Sequence, residues 1–158
     1  MWIYKVELGF IDIPNKITYN VYTVGCEHNC TGCHMEHLQD INYPLRASMT
    51  TDYIDKLISD TEGLIDGFCF MGGDPLLQKD ELIYIAEYIK NKYKNLMLFM
   101  FTGYNYNEID NKIKNIFDII IDGKWEGIPY YDDKSNQKIY YNGDIISYKE
   151  FEQLTKEE

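Results

Sequence analysis

Four short apolar runs, at 17–24, 67–71, 96–101 and 117–121, constrain the fold of this chain more than any other feature. They are rich in β-branched and aromatic residues and read as strands. The last three are almost continuously apolar, the pattern of strands buried on both faces. Between the runs the period changes to that of helices. Thr50-Thr51-Asp52 supplies capping residues before Tyr53, Ile54, Leu57 and Ile58; Leu82, Ile83, Ile85, Ala86 and Ile89 mark a second helix. A third is expected over about 106–115, with Ile109, Ile113 and Ile116 on one face. This alternation predicts an α/β fold with a mainly parallel sheet covered by helices. Near the end, 137–147 reads as a C-terminal hairpin turning at Asn142-Gly143, and 149–158 as a last helix or a frayed tail. Cys26, Gly72, Thr102 and Asp122 each follow the carboxyl end of an expected strand. Ligands of parallel sheets bind at that edge, so the four positions are expected to share one rim.

The first of these positions opens the segment Gly25-Cys26-Glu27-His28-Asn29-Cys30-Thr31-Gly32-Cys33-His34. Three cysteines in eight positions, with the fourth, Cys69, far away, suit a metal site better than a disulfide framework. Thiolates from Cys26, Cys30 and Cys33 can hold three irons of a 4Fe–4S cubane, leaving one iron open to a substrate. Gly25 and Gly32 would let the backbone bend around such a cluster. The same spacing also admits a zinc site with His28, His34 or His37 as fourth ligand, in a non-enzymatic interaction module. His28 alone is expected to be a hydrogen-bonding loop residue, and Cys69, between Phe68 and Phe70, a buried inert thiol. Gly72-Gly73-Asp74-Pro75 has a plain reading as a turn in which Asp74 caps a helix begun by Pro75. Its glycines could equally let backbone carbonyls approach the ammonium of a bound amino acid.

Composition narrows the function classes. The chain has 158 residues, a length that fits one domain over 1–158, and 45% of them are hydrophobic, enough to fill a core. A formal net charge of −11 argues against nucleic acid as a partner, since phosphate binding needs clustered Lys and Arg. Lys5 and Glu7 interrupt the amino-terminal apolar residues, so no signal peptide is expected there. No uncharged apolar segment approaches the ~18 residues of a membrane helix. The expectation is a cytoplasmic protein with reduced thiols and no membrane contact.

The cysteine loop after the first of these runs resembles that of the radical S-adenosylmethionine superfamily. The form Cys26-x-His28-x-Cys30-x-Gly32-Cys33 is similar to the activating enzyme of anaerobic (class III) ribonucleotide reductase. Gly72-Gly73-Asp74-Pro75-Leu76, Thr102-Gly103-Tyr104, Ile121-Asp122-Gly123-Lys124 and Ser135-Asn136-Gln137 follow in the family's order, so the resemblance covers 26–137. It implies a partial (β/α) barrel in one compact domain. It implies too that S-adenosylmethionine is held by Gly32, Cys33, His34, Gly72, Gly73, Asp74 and Thr102, the glycine pair taking the methionine amino group. Reductive cleavage of the C5′–S bond would yield a 5′-deoxyadenosyl radical. The implied target is the Cα hydrogen of a glycine in the large reductase subunit, with an external electron donor such as flavodoxin. An alternative target is another glycyl radical enzyme or a different substrate. Three departures bear on the partner: 11–15 lacks a Gly-Pro-Gly-like turn, His34-Met35-Glu36-His37 replaces a Tyr-Asn pair, and Lys134 and Lys138 stand where arginines are usual.

Overall fold

The computed structural model describes residues 1–157. Its chain order is β1 (Trp2–Gly9), β2 (Thr18–Thr23), β3 (Ala47–Ser48), α1 (Thr51–Asp60), β4 (Gly67–Gly72), α2 (Lys79–Lys92), β5 (Met97–Phe101), α3 (Asn111–Ile116), β6 (Ile119–Asp122), β7 (Lys138–Tyr141), β8 (Asp144–Ile146) and α4 (Tyr148–Lys156). All eight strands form one sheet in the order β3-β1-β2-β4-β5-β6-β7-β8. The expected α/β class holds, but the sheet is mixed. Only the central junctions, β2/β4, β4/β5 and β5/β6, are parallel. The outer pairs are antiparallel, and β3 and β8 are left as open edges rather than closing a barrel. The reason lies in the connections. Helical crossovers separate the central strands, whereas β1/β2, β6/β7 and β7/β8 are joined without one, which permits only an antiparallel return.

Strand alternation divides the core into two faces. Tyr19, Val21, Phe68, Phe70, Leu98, Met100 and Ile120 pack under the helices, against Ile54 and Leu57 of α1, Leu82, Ile85 and Ile89 of α2, and Ile113 of α3. Each such side chain contributes about 1.5–3 kcal/mol when fully buried. The opposite face carries Cys69, Phe99, Ile119, Ile121 and Ile139. It is covered by Phe151 of α4 and by Ile13, because the segment between β1 and β2 folds back across the sheet. Asn15, at φ 60°, anchors that segment by donating to Glu152 O at 3.2 Å and Thr155 Oγ1 at 3.3 Å.

Local signals explain most boundaries. Thr50 Oγ1 accepts from Tyr53 N at 3.2 Å and caps α1. Asn142 and Gly143 have φ of 51° and 84°, the pair of positive values a two-residue hairpin turn requires. Ser147 and Glu150 form a capping box, so the tail becomes α4 rather than fraying; Glu158 lies outside the described residues. The expected helix over 106–115 is split. A 3₁₀ turn at Tyr106–Glu108 ends at Ile109, and Asp110 then caps α3 by accepting from Lys112 N at 2.8 Å. No described helix is long and apolar enough to cross a membrane.

Candidate functional site

The cysteine loop leaves the sheet where β2 ends, and its first turn is tightly constrained. Gly25 has φ +92°, and a β-carbon there would stand 2.4 Å from Leu77 Cδ2. Its N–H donates to Leu38 O at 2.7 Å, and Cys26 N donates to Gln39 O at 2.9 Å. Beneath the loop, Tyr22, Val24 and Leu38 form a small apolar core of their own. The turn around Asn29, at φ 51°, and Gly32, at φ +72°, brings Cys33 N onto Cys30 O at 3.2 Å. Cys26, Cys30 and Cys33 are free thiols, half-buried, and all three line one cavity of about 360 Å³.

The other parallel strands reach the same cavity. Gly72 ends β4 and Gly73 and Asp74 follow it, Thr102 and Gly103 follow β5, and Gly123 and Trp125 follow β6. The expected convergence on one rim is thus observed for the four strand ends. Asp122 itself turns away from the cavity, accepting from Tyr106 N at 2.7 Å and Lys138 N at 3.2 Å; burial pushes its carboxyl up and those two N–H groups hold it down.

The family described as a 4Fe–4S single cluster domain matches residues 17–146, from β2 to β8. The chain belongs to that family. It is also 33% identical over 93 residues to a Methanocaldococcus jannaschii protein provisionally named as a glycyl-radical enzyme activating enzyme. The match takes in 55% of this chain and 34% of the relative, so the chain spans about a third of that protein's length.

The donors of this 4Fe–4S domain fit a cluster with three protein ligands. Soft thiolates select iron–sulfur clusters, and three share the cavity. Cys69 is fully buried on the sheet's opposite face among Phe99, Ile119 and Ile121, as expected of an inert thiol, and burial pushes its pKa well up. Burial also raises the Cys26 thiol, opposed by a hydrogen bond from the His28 backbone N–H; the nearby Asp74, Cys30 and Cys33 charges raise it further. A metal must displace that proton, which favours loading at higher pH.

Asp74 does more than cap a turn. It accepts from Leu76 N at 3.0 Å, the expected cap, although the helix begun by Pro75 is a 3₁₀ turn, Pro75–Gln78. Its carboxylate is 1% exposed and also meets His28 Nε2 at 2.6 Å, Thr102 Oγ1 at 2.9 Å and Gly103 N at 2.8 Å. One carboxylate therefore ties the cysteine loop to the loops after β4 and β5. His28 is a hydrogen-bonding loop residue, as its position led one to expect, with the Tyr104 ring edge-on at 4.5 Å. The glycine pair has a steric reason. β-Carbons on Gly72 and Gly73 would stand 2.6 Å from Thr23 N and 2.5 Å from Gly25 O. Those close approaches allow Gly73 N to donate to Thr23 O and Asp74 N to Gly25 O, extending the β2/β4 pairing up to the cysteine loop.

Gly103 is as tightly placed. A β-carbon there would lie 2.4 Å from His28 Cδ2. Gly103→Ala is expected to push the imidazole off Asp74 and destabilise the chain by about 1–3 kcal/mol, through overpacking and a weakened buried hydrogen bond. Urea denaturation of the metal-free protein measures this; an unchanged midpoint would show that the His28 contact contributes nothing.

Of the remaining histidines, His34 lines the cavity, its ring centroid 5.0 Å from that of Trp125. His37 packs between Tyr4 and Tyr43, outside the cavity lining. Ser135-Asn136-Gln137 braces the loop after β6. Asn136 Nδ2 donates to Lys124 O at 2.9 Å and Gln137 Nε2 to Gly123 O at 3.1 Å. Sequence reasoning missed Trp125 and Asp12 as cavity residues. Trp125 lies one residue past the motif Ile121-Asp122-Gly123-Lys124, and no local signal places its ring against the cysteine loop. Asp12 arrives only through the fold-back between β1 and β2, where Asn20 Nδ2 donates to it at 2.6 Å.

Proposed function

We propose that this chain is a radical S-adenosylmethionine activase, in which Cys26, Cys30 and Cys33 hold a 4Fe–4S cluster with one iron left for the substrate. The observation that carries this reading is the sorting of the four cysteines: three thiols face one cavity and the fourth is sealed in the core. The chemistry a bound cluster supplies is one-electron reduction of the sulfonium, which releases methionine and a 5′-deoxyadenosyl radical.

The protein positions and shields. Asp74 fixes the cysteine loop through His28. Gly32, Cys33, His34, Gly72, Gly73 and Thr102 are the cofactor-contacting residues of this reading. Thr102 acts there chiefly through Asp74, to which its hydroxyl donates. Met71 and Phe101 give the cavity apolar walls that keep water from a reactive radical. The partner is a glycyl radical enzyme. The form of the cysteine motif favours the large subunit of anaerobic ribonucleotide reductase, with an external donor such as flavodoxin and a cytoplasmic setting.

The test is anaerobic reconstitution followed by reduction with dithionite and S-adenosylmethionine. Iron with acid-labile sulfide, 5′-deoxyadenosine as product, and a glycyl radical signal by electron paramagnetic resonance in added reductase are expected. 5′-Deoxyadenosine without that signal would keep the radical chemistry and reject the reductase as target. Stoichiometric zinc without iron in freshly prepared anaerobic protein would reject the whole reading in favour of an interaction module.

A further inference from the structure

Trp125 is a large apolar side chain with no structural employment. It is half-buried, yet it belongs to none of the three apolar cores, and its one aromatic neighbour is His34. Its Nε1 donates to no acceptor among the described residues, unlike the indole N–H of most packed tryptophans. The backbone around it is nonetheless firmly set, with Gly123 O and Lys124 O both accepting from the Ser135-Asn136-Gln137 segment. The other rings of the cavity are committed elsewhere. Phe101 packs edge-on against Tyr130, Tyr22 donates to Glu7 Oε1 at 3.1 Å, and His28 is held by Asp74.

The cysteine loop leaves room beside this indole. Gly32, immediately before Cys33, adds no side chain to the cavity wall, and a β-carbon built on it would have Trp125 Nε1, at 4.0 Å, as its nearest neighbour. The aromatic surface next to the last thiol of the loop therefore comes from the loop after β6. A flat ring beside the thiols suits a planar π-system attached to whatever the cluster grips. In S-adenosylmethionine that π-system is adenine.

We infer that the Trp125 indole is the stacking platform for the adenine of S-adenosylmethionine, a role that rests on the activase reading of this cavity. The base lies against the indole while the methionine end reaches the cysteine loop. Gly32 keeps the intervening space clear, and the His34 ring, tilted by 54° with its centroid 5.0 Å away, neighbours the indole in the same cavity. Trp125 is thus a positioning residue: it sets where the ribose C5′ stands relative to the cluster.

Anaerobic calorimetry on the cluster-loaded chain tests this with S-adenosylmethionine, 5′-deoxyadenosine and methionine as separate ligands. Base–aromatic stacking predicts that Trp125→Ala weakens S-adenosylmethionine and 5′-deoxyadenosine alike, by about 5- to 100-fold in Kd. Methionine binding and iron content are unchanged. Trp125→Phe keeps a π-face and restores Kd to within about threefold of the wild-type value. Wild-type affinity for S-adenosylmethionine in Trp125→Ala overturns the inference alone. Weakened S-adenosylmethionine with unaltered 5′-deoxyadenosine also overturns it, because the indole would then meet the sulfonium rather than the base. A wild-type chain that binds no S-adenosylmethionine removes the activase reading, and this inference with it.

Discussion

Asp74→Ala is expected to cost this protein about 3–5 kcal/mol, since each buried donor left without its acceptor costs about 1–3 kcal/mol. The carboxylate is 1% exposed and takes hydrogen bonds from His28, Thr102, Gly103 and Leu76. Truncation strands all four donors in a space that water does not freely enter. Against a total stability of about 5–15 kcal/mol for a domain, the loss is severe. Asp74→Asn keeps the shape and one acceptor oxygen but turns an amide donor toward other donors, so it should fall between wild type and alanine. Denaturation of the metal-free chain separates fold from cofactor. The double variant His28→Ala/Asp74→Ala should cost less than the two single losses added, because the partners couple. Asp74→Ala with a midpoint within about 0.5 kcal/mol of wild type would show that the carboxylate is a bystander.

Cys30→Ala should do the reverse. Its thiol is half-buried on a loop, so the metal-free chain is expected to lose less than about 1 kcal/mol. Iron and sulfide per chain should fall sharply, since two thiolates no longer cradle the cluster, and 5′-deoxyadenosine formation should drop to background. Cys69→Ala is the matched control. It sits in the core at 0% exposure, so it should cost about 1 kcal/mol in packing and leave iron content intact. If Cys30→Ala kept its iron while Cys69→Ala lost it, the ligand assignment would be reversed.

The two predictions trace different kinds of legibility. Cys30 could be chosen from spacing, because three thiols on one short loop are local and chain geometry alone keeps them close. The strand ends, read at 24, 71, 101 and 121 and found within one residue of those positions, were legible for a similar reason, as apolar runs broken by glycine or polar residues. Asp74 was legible as a cap but not as a clamp. Its contacts with His28 and Thr102 span 46 and 28 residues and arise only when β2, β4 and β5 lie side by side. The helix split at Ile109 was hidden because Ile109, Ile113 and Ile116 keep one apolar face across it.

By itself, the sequence determined the alternation of strand and helix, the cysteine loop, and the arrival of four loops at one sheet edge. Each follows from local periodicity and turn chemistry, which act over a few residues. Tertiary structure alone decided the antiparallel pairing of β1 with β2 and of β6 with β7, the fold-back that seats Ile13 and Asp12, and the indole beside Gly32. Those depend on which surfaces remain uncovered once the sheet has formed, a quantity no short window of sequence contains.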